Sequence, residues 1–283
     1  MDRSDKTILI IGATGQQGGA AARHLLADGW HVRGLAHHPD APAALALAAT
    51  GVELVPGDLL DRPSLDRAVD GVYGVFSMQS PPQGDFAAEE TEGKNVADAA
   101  AKAAVQHFVY NSVEGAQTDA GAPWVISKHR IEAHIRDLGL PATIWRPVLF
   151  MENYLRQRDD ILGGHLASPA WPETMTYLIS VDDIGRFVAL AFRDPERFIG
   201  TSMAIGGDAM TMTQVAETFS HVLGTRVEFE HVEMERIPTP PRPVPGEPQH
   251  VRADIAACRE LVPELSTLAQ WIETTGWKQA AAS

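Results

Sequence analysis

Three glycines, Gly12, Gly15 and Gly18, follow a short run of β-branched residues and leucine and precede a segment of helical periodicity. In this spacing Gly12 allows a tight turn, Gly15 lets the backbone approach a pyrophosphate, and Gly18 lets a helix pack closely on a sheet. The helix N-terminus then directs its N–H groups at the phosphates. The strand–turn–helix context favours a dinucleotide site over a purely structural turn. The predicted contacts in the turn are Gly12, Ala13, Thr14, Gly15, Gln16, Gln17 and Gly18.

The end of the second predicted strand bears on which dinucleotide binds. NAD-binding domains commonly place an acidic residue there for the ribose hydroxyls, whereas NADP-binding domains use a nearby arginine for the 2′-phosphate. Residues 31–38 contain no acidic residue, and their tip carries His37 and His38. An imidazole is mostly neutral near pH 7 and holds an anion weakly. The sequence therefore predicts NAD(H) or NADP(H), with His37 as a contact and the preference open; His38 fits a solvated loop equally well.

Short apolar runs and helical patterns alternate through the first half of the chain. The predicted strands are residues 7–11, 32–36, 52–55, 72–76, 108–110 and 142–145, and the clearest helices are residues 87–104 and 127–138. Strands that alternate with helices form right-handed crossovers and a parallel sheet. The predicted fold is α/β, a Rossmann doubly wound parallel sheet with a smaller C-terminal α/β substrate region.

The pattern changes after Pro147. The helices predicted there are residues 153–162, 181–192, 213–223 and 265–274, and the strands are residues 176–179, 202–205 and 227–232. We expect residues 1–150 to form the NAD(P)-binding domain and residues 151–283 a smaller substrate or regulatory region, partly interleaved with the first. Six prolines among residues 238–248 exclude a helix. That segment is either a surface loop or a loop flanking the substrate mouth, and its mobility is left open.

Composition and charge narrow the function classes. The chain has 283 residues, 45% of them apolar, which is enough for a sizeable core. The formal net charge of −14 and the lack of a Lys/Arg cluster argue against a nucleic-acid partner. Cys258 is the single cysteine, which excludes an intramolecular disulfide and fits a reducing compartment. The sequence shows no signal peptide, no apolar run of ~18 residues, no metal-ligand spacing and no hydrolase elbow, so we expect a cytoplasmic protein without a metal or a membrane partner.

Several motifs resemble the NmrA-like family of atypical short-chain dehydrogenase/reductases. They lie at residues 12–19, 57–61, 93–95, 146–153, 181–185 and 267–271. The most specific are the glycine turn and Arg-Pro-x-x-Phe-Met-Glu-Asn, which begins at Arg146. The resemblance covers nearly the whole chain and implies a bound nicotinamide dinucleotide.

The resemblance also implies further cofactor contacts. Asp58 and Leu59 would lie beside the adenine, and Lys128 would hold the nicotinamide ribose. The contacts implied on the nicotinamide side are Met78, Gln79 and Ser80, with Phe150, Met151, Glu152 and Asn153 closing over that end. NADP-binding relatives place arginine where His37 stands and lysine where Ala41 stands, and Asp40 adds a negative charge here. The resemblance therefore implies a weaker NADPH preference than in those relatives.

Typical short-chain dehydrogenases transfer a proton with Tyr-x-x-x-Lys, in which the lysine lowers the tyrosine pKa. The residues four positions before the five lysines are Asp2, Glu90, Asp98, Trp124 and Thr274. Lys128 thus keeps the lysine of the motif, whereas Trp124 replaces the tyrosine. We expect Trp124 to pack in the core; the alternatives are an apolar wall of the site and a surface on which a substrate stacks. Lys128 is the candidate catalytic residue. Ser112, after the fifth strand, is a second candidate, whose hydroxyl could bind a carbonyl oxygen or only bond locally.

The missing tyrosine leaves two functions open. In the first, the protein is an NAD(P)H-dependent oxidoreductase that reduces a small electrophile such as a quinone or activated carbonyl. Lys128, a water molecule or His129 then supplies the proton. In the second, the protein is a non-catalytic dinucleotide sensor, whose bound state alters a loop that a partner protein recognises. The retained lysine favours the enzyme, and the lost tyrosine favours the redox sensor.

Overall fold

The computed structural model describes residues 3, 5–80, 84–119, 121–233, 242–244 and 252–277. The chain divides into two compact units. The first consists of Met1–Pro147 and Ile184–Ala204, and the second of Val148–Asp183 and Ile205–Ser283. The chain therefore leaves the first unit and later returns to it. Most of the proline-rich segment, residues 238–248, lies outside the described residues.

A seven-stranded sheet forms the centre of the first unit. Numbered along the whole chain, its strands are β1 (Thr7–Ile10), β2 (His31–Ala36), β3 (Glu53–Pro56), β4 (Gly74–Ser77), β5 (His107–Asn111), β6 (Ala142–Pro147) and β10 (Ser202–Ile205). Their order is β10-β6-β5-β4-β1-β2-β3, and all pairings from β6 to β3 are parallel. The chain runs from β1 outward to β3 and then crosses to β4 on the other side of β1. This reversal is a topological switch point, beyond which doubly wound sheets bind ligands. The predicted fold class is confirmed.

Helices connect the strands of the first unit. They are α1 (Gln16–Ala27), α2 (Pro42–Ala48), α3 (Arg62–Ala68), α4 (Phe86–Lys102), α5 (Pro123–Asp137), α7 (Val181–Arg193), whose first residues belong to the second unit, and α8 (Pro195–Phe198). Strands β1 and β4 supply Leu9 and Val75 to a buried cluster with Val96 of α4 and Ile131 of α5. A Cβ at Gly93 would lie 2.6 Å from Ile131 Cδ1, so this glycine lets α4 and α5 approach closely.

The second unit contains two small sheets and its own core. Its strands are β7 (Leu149–Phe150), β8 (His165–Ser168), β9 (Met175–Ile179), β11 (Asp208–Thr211) and β12 (Glu228–His231), in the orders β11-β9-β7 and β12-β8. Its helices are a 3₁₀ helix (Met151–Gln157), α6 (Arg158–Leu162), α9 (Met212–Leu223), α10 (Ile255–Leu261) and α11 (Leu268–Thr274). The core includes Tyr154, Phe219, Trp271 and Trp277. None of the helices that the structure describes is long and apolar enough to cross a membrane.

Three of the predicted helices differ from the structure, either in type or by more than two residues at the start. The helix predicted for residues 153–162 is the 3₁₀ helix followed by α6. Helix α11 begins at Leu268 rather than at residue 265, because Thr267 and Gln270 form a capping box that fixes the start. Helix α5 begins at Pro123 rather than at residue 127, because proline is well suited to the first turn of a helix.

Candidate functional site

The glycine turn (residues 12–18) connects β1 to α1. Gly12 has a φ of +71°, which side-chain-bearing residues rarely adopt, and its carbonyl oxygen accepts a hydrogen bond from Gly15 N at 2.9 Å. A Cβ at Gly18 would lie 2.2 Å from Gly12 O, so only glycine lets the helix start this close to the turn. Gly15 is the N-cap, and within the described chain no side chain caps α1. The first N–H groups of the helix therefore remain for an anion, and the turn fits a pyrophosphate.

The residues that follow β4 lie beside this turn. A Cβ at Gly12 would lie 2.6 Å from Met78 Sδ, so the two predicted contacts are adjacent. Gln79 is buried, and its Nε2 donates a hydrogen bond to Ser77 Oγ at 3.0 Å. Its Oε1 is buried and has no hydrogen-bond partner among the described residues. Ser80 is exposed. The structure thus places a buried, unused acceptor at the switch point.

Lys128 of α5 lies in a buried polar cluster. Its Nζ donates to the carbonyl oxygen of Gln79 at 2.8 Å and lies 2.9 Å from Glu89 Oε1 of α4. The other carboxylate oxygen of Glu89 accepts a hydrogen bond from Ser127 Oγ. Burial lowers the pKa of the Lys128 ammonium, although the neighbouring Glu89 acts in the opposite direction. The lysine is therefore oriented by a carboxylate and attached to the segment that follows β4.

Glu89 was not predicted as a site residue, although the sequence contained a signal for it. Glu89, Gly93, Val96, Ala97 and Ala100 are buried along one face of α4, with the spacing of an amphipathic helix. An acidic residue on an apolar face requires a partner, because burying an unpaired charge is strongly unfavourable. That partner is the lysine on which the proposed chemistry depends.

The end of β5 adds polar groups to the same edge of the sheet. Asn111 Nδ2 donates to Gln17 Oε1 of α1 at 2.7 Å, which connects the glycine turn to β5. Asn111 Oδ1 and Ser112 Oγ are buried and have no hydrogen-bond partner in the part of the chain that the structure describes. Buried polar atoms normally have partners, so these two, like Gln79 Oε1, fit a site that binds a polar ligand.

The residues predicted to contact the adenosine end of the cofactor, His37, Asp58 and Leu59, lie in neighbouring loops of the structure. His37, directly after β2, has its Nδ1 3.6 Å from Asp58 Oδ2, which follows β3. The rings of His37 and His38 meet edge to face with centroids 4.4 Å apart. Asn95 Nδ2 of α4 donates to the carbonyl oxygen of Leu59 at 2.9 Å and so holds the loop after β3. Asn95 was part of a motif in the sequence, but its role in this loop was not predicted.

The prediction that Trp124 packs in the core is wrong. Its side chain is 37% exposed, and its ring lies 6.4 Å from that of Phe86, centroid to centroid. Trp124 is only the second residue of α5, where the helix emerges from a loop, and its side chain remains partly in solvent. A partly exposed aromatic side chain at this position can contact a ligand or another protein.

The remaining predicted contacts lie in the second unit and are Phe150, Met151, Glu152 and Asn153. Met151 is fully buried in the core of that unit. The Glu152 carboxylate accepts hydrogen bonds from Val181 N and Trp271 Nε1, both at 3.0 Å, and burial raises its pKa. These contacts explain why a Met-Glu pair suits the packing of the second unit. Closure of this segment over a nicotinamide stays a prediction.

Comparison with known proteins identifies the family. The sequence profile of the NmrA-like family matches residues 4–275. The chain belongs to this family. The predicted resemblance is therefore confirmed over nearly the whole NmrA-like chain.

Three relatives differ in what they do. The (4-alkanoyl-5-oxo-2,5-dihydrofuran-3-yl)methyl phosphate reductase of Streptomyces griseus is 33% identical over 227 residues, which cover 80% of this chain and 77% of the relative. NmrA, a negative transcriptional regulator, has been solved with NADP; that structure is 26% identical, has a TM-score of 0.79, and aligns over 96% of this chain and 95% of its own. The structure of NmrA with NAD is 25% identical, has a TM-score of 0.81, and aligns over 99% of this chain and 98% of its own. An NADPH-dependent quinone oxidoreductase of Escherichia coli, solved with NADPH, is 25% identical, has a TM-score of 0.71, and aligns over 80% of this chain and 78% of its own.

Proposed function

We propose that this NmrA-like protein binds NAD(H) or NADP(H) at the switch point of its first unit and reduces a small electrophile such as a quinone or activated carbonyl. The glycine turn carries the proposal, because Gly12 and Gly18 shape it for a pyrophosphate at the N-terminus of α1. One relative is a reductase and another a quinone oxidoreductase, and the solved relatives hold NADP, NAD or NADPH, which supports the cofactor class. The second unit is proposed to supply contacts for the substrate or a partner.

In this proposal the bound dinucleotide supplies a hydride, which together with one proton converts a quinone into a hydroquinone. Lys128 has three N–H donors; Glu89 and the Gln79 carbonyl oxygen take two of them. The third is proposed to serve the nicotinamide ribose or the acceptor oxygen. Lys128 is the proposed source of the proton, with water or His129 as the alternatives. Ser112 Oγ, at the end of β5, is proposed to bind the acceptor oxygen.

The second candidate function is a dinucleotide sensor that regulates a protein partner. Trp124 favours it, because this partly exposed residue occupies the sequence position, four before Lys128, that the proton-donating tyrosine has in the wider superfamily. One relative, NmrA, is a transcriptional regulator that has been solved with dinucleotides. For either function we propose a cytoplasmic setting, which suits a chain whose single cysteine, Cys258, is buried and forms no intramolecular disulfide.

The first experiment measures turnover and binding together. Oxidation of NADH and NADPH is followed at 340 nm against a panel of quinones and aldehydes, while the binding of each cofactor is titrated by fluorescence. Turnover supports the reductase. Tight binding without turnover on any acceptor supports the sensor, and failure of both cofactors to bind contradicts both functions.

A charge-balanced variant tests the lysine. Lys128→Met combined with Glu89→Gln removes the ammonium without leaving a buried carboxylate, so the fold is kept. We expect turnover to fall at least about 100-fold, the range of a lost general acid, while cofactor binding falls much less. The matched control is Lys94→Met with Glu90→Gln, which removes a more exposed pair of the same kind from α4. Equal turnover in the two double variants would remove Lys128 from the mechanism.

A further inference from the structure

The contact between α4 and α5 is built in layers that follow each other turn by turn. At the start of the two helices, the ring of Phe86 lies 6.4 Å from that of Trp124, centroid to centroid. The next layer is the buried pair of Lys128 and Glu89. Its members follow the two aromatic residues by three and four positions, spacings that place side chains on the same face of a helix. The aromatic pair (Phe86 and Trp124) is therefore about one helical turn, or about 5.4 Å, from the buried ion pair.

The aromatic pair lies at the edge of the sheet where the cofactor is proposed to bind. Helix α4 follows β4 and α5 follows β5, so both helices start on the side of the carboxyl ends of the strands. Helical side chains lean towards the helix N-terminus, so the two rings extend towards this edge. An acceptor whose oxygen reaches the third N–H of Lys128 therefore brings its own ring system next to the aromatic pair.

The two rings leave aromatic surface for a third. Their planes are inclined by 50°, which is neither a parallel stack nor a perpendicular contact, so neither ring fully covers a face of the other. Trp124 is 37% exposed, and Phe86 is only partly buried. The face of an indole or phenyl ring carries negative charge density and attracts an electron-poor ring such as that of a quinone. An aliphatic carbonyl compound has no ring with which to make this contact.

We propose that Phe86 and Trp124 form a substrate subsite for a flat aromatic acceptor, with a quinone fused to a second ring as the preferred class. This inference rests on the reductase function proposed above and goes beyond it, since that function leaves quinones and activated carbonyls both open. Trp124 stands in the sequence where the tyrosine of the wider superfamily is missing. The replacement thus removes a proton donor and supplies an aromatic surface, while Lys128, one turn further along α5, remains for the acceptor oxygen.

The test compares two neutral quinones that differ by a fused ring. Dimethylnaphthoquinone has a fused benzene ring where duroquinone has two methyl groups, and neither has a free position on the quinone ring that a thiol could attack. Their dissociation constants are measured by calorimetry on the full chain saturated with NAD⁺ or NADP⁺, which has no hydride to transfer. We expect dimethylnaphthoquinone to bind more tightly. Trp124→Leu should reduce this preference by about 3- to 10-fold, the range of one lost aromatic contact.

Three further variants separate ring stacking from general packing. Trp124→Phe keeps an aromatic ring and should reduce the preference less than Trp124→Leu does, whereas Phe86→Leu should also reduce it. The matched control is Tyr73→Leu, because Tyr73 is likewise partly buried and stacks on a tryptophan, Trp30, at 5.5 Å. Tyr73 precedes β4, at the opposite edge of the sheet, so its replacement should leave the preference unchanged. With NADH or NADPH, the ratio of kcat/KM for the two quinones should follow the same order.

The outcomes distinguish this inference from the proposed function. An unchanged preference in Trp124→Leu, an equal loss in Tyr73→Leu, or no quinone binding by the cofactor-loaded chain each overturns the aromatic subsite, while turnover of aliphatic carbonyl compounds would still support a reductase. Quinone binding with the expected preferences but without turnover supports the subsite and contradicts the reductase. Failure of the unchanged protein to bind either dinucleotide overturns the proposed function and the inference together.

Discussion

Lys128 and Glu89 form a buried pair whose disruption has a large expected effect on stability. Glu89 is 1% exposed and Lys128 is 8% exposed, so Lys128→Met leaves a buried carboxylate with the Ser127 hydroxyl as its remaining side-chain partner. Removing one partner of a buried pair costs about 3–5 kcal/mol, because the other charge stays desolvated. At about 2–4 °C per kcal/mol for a chain of this size, the Tm falls by roughly 6–20 °C.

The assay is urea and thermal unfolding of four proteins: the unchanged chain, Lys128→Met, Glu89→Gln and the double variant. The double variant should recover most of the loss, with a coupling energy of about 3 kcal/mol. The control is Lys94→Met, since Lys94 pairs with Glu90 at 2.6 Å within α4 but is 36% exposed, and it should cost under about 1 kcal/mol. If Lys128→Met and Lys94→Met have the same free energy of unfolding, burial does not make the Lys128–Glu89 pair more important for stability, which contradicts the prediction.

Two further predictions concern a core histidine and the glycine turn. His107 Nε2 lies 2.8 Å from the hydroxyl of Thr143, which itself donates to the carbonyl oxygen of Phe198, so in the neutral ring Nε2 carries the proton and Nδ1 does not. Burial lowers the pKa of His107 to about 4. Between the ordinary pKa of histidine and pH about 4, the unfolded chain therefore binds a proton at His107 and the folded chain does not. The free energy of unfolding falls by about 2 kcal/mol from pH 7 to pH 5 and levels off below pH about 4. His107→Gln should lose that part of the pH dependence in denaturant titrations, and an unaltered slope would contradict it. Gly18→Ala should weaken dinucleotide binding at least about tenfold in fluorescence titrations, because the added methyl meets Gly12 O, whereas Gly19→Ala, whose Cβ has its nearest neighbour at 3.6 Å, should bind normally. Equal binding by the two alanine variants would contradict the role of the close approach.

The fold class could be predicted because each signal was local. The apolar strand before Gly12, the spacing of the three glycines and the helix that follows lie within about 20 residues and need no distant partner. The second unit was harder. Strand β7 has only two residues, and β8 finds its partner β12 more than 50 residues away, so neither produces a recognisable periodicity.

The candidate site was predictable residue by residue but not as a set of contacts. Lys128 could be predicted from the Tyr-x-x-x-Lys spacing. Its contact with Glu89 could not, because that contact depends on how α4 and α5 are aligned along each other. The pairing of Asn111 with Gln17, and of His37 with Asp58, depends on which strands are neighbours at the switch point. Such contacts join residues that are 20 to 95 positions apart, where sequence periodicity carries no information.

The return of the chain to the first unit also governs how that unit is completed during synthesis. Strand β6 pairs with β5 on one side and with β10 on the other. Because β10 is synthesised about 60 residues after β6, the second edge of β6 stays unpaired during that time. At about 5–20 residues per second, a ribosome leaves that edge without its partner for roughly 3–12 seconds. An unpaired buried strand is a template for association with other chains. A fragment that stops after Pro147 would keep this edge permanently, so a recombinant cofactor-binding unit should carry Ile184–Ala204 joined back to it by a short linker.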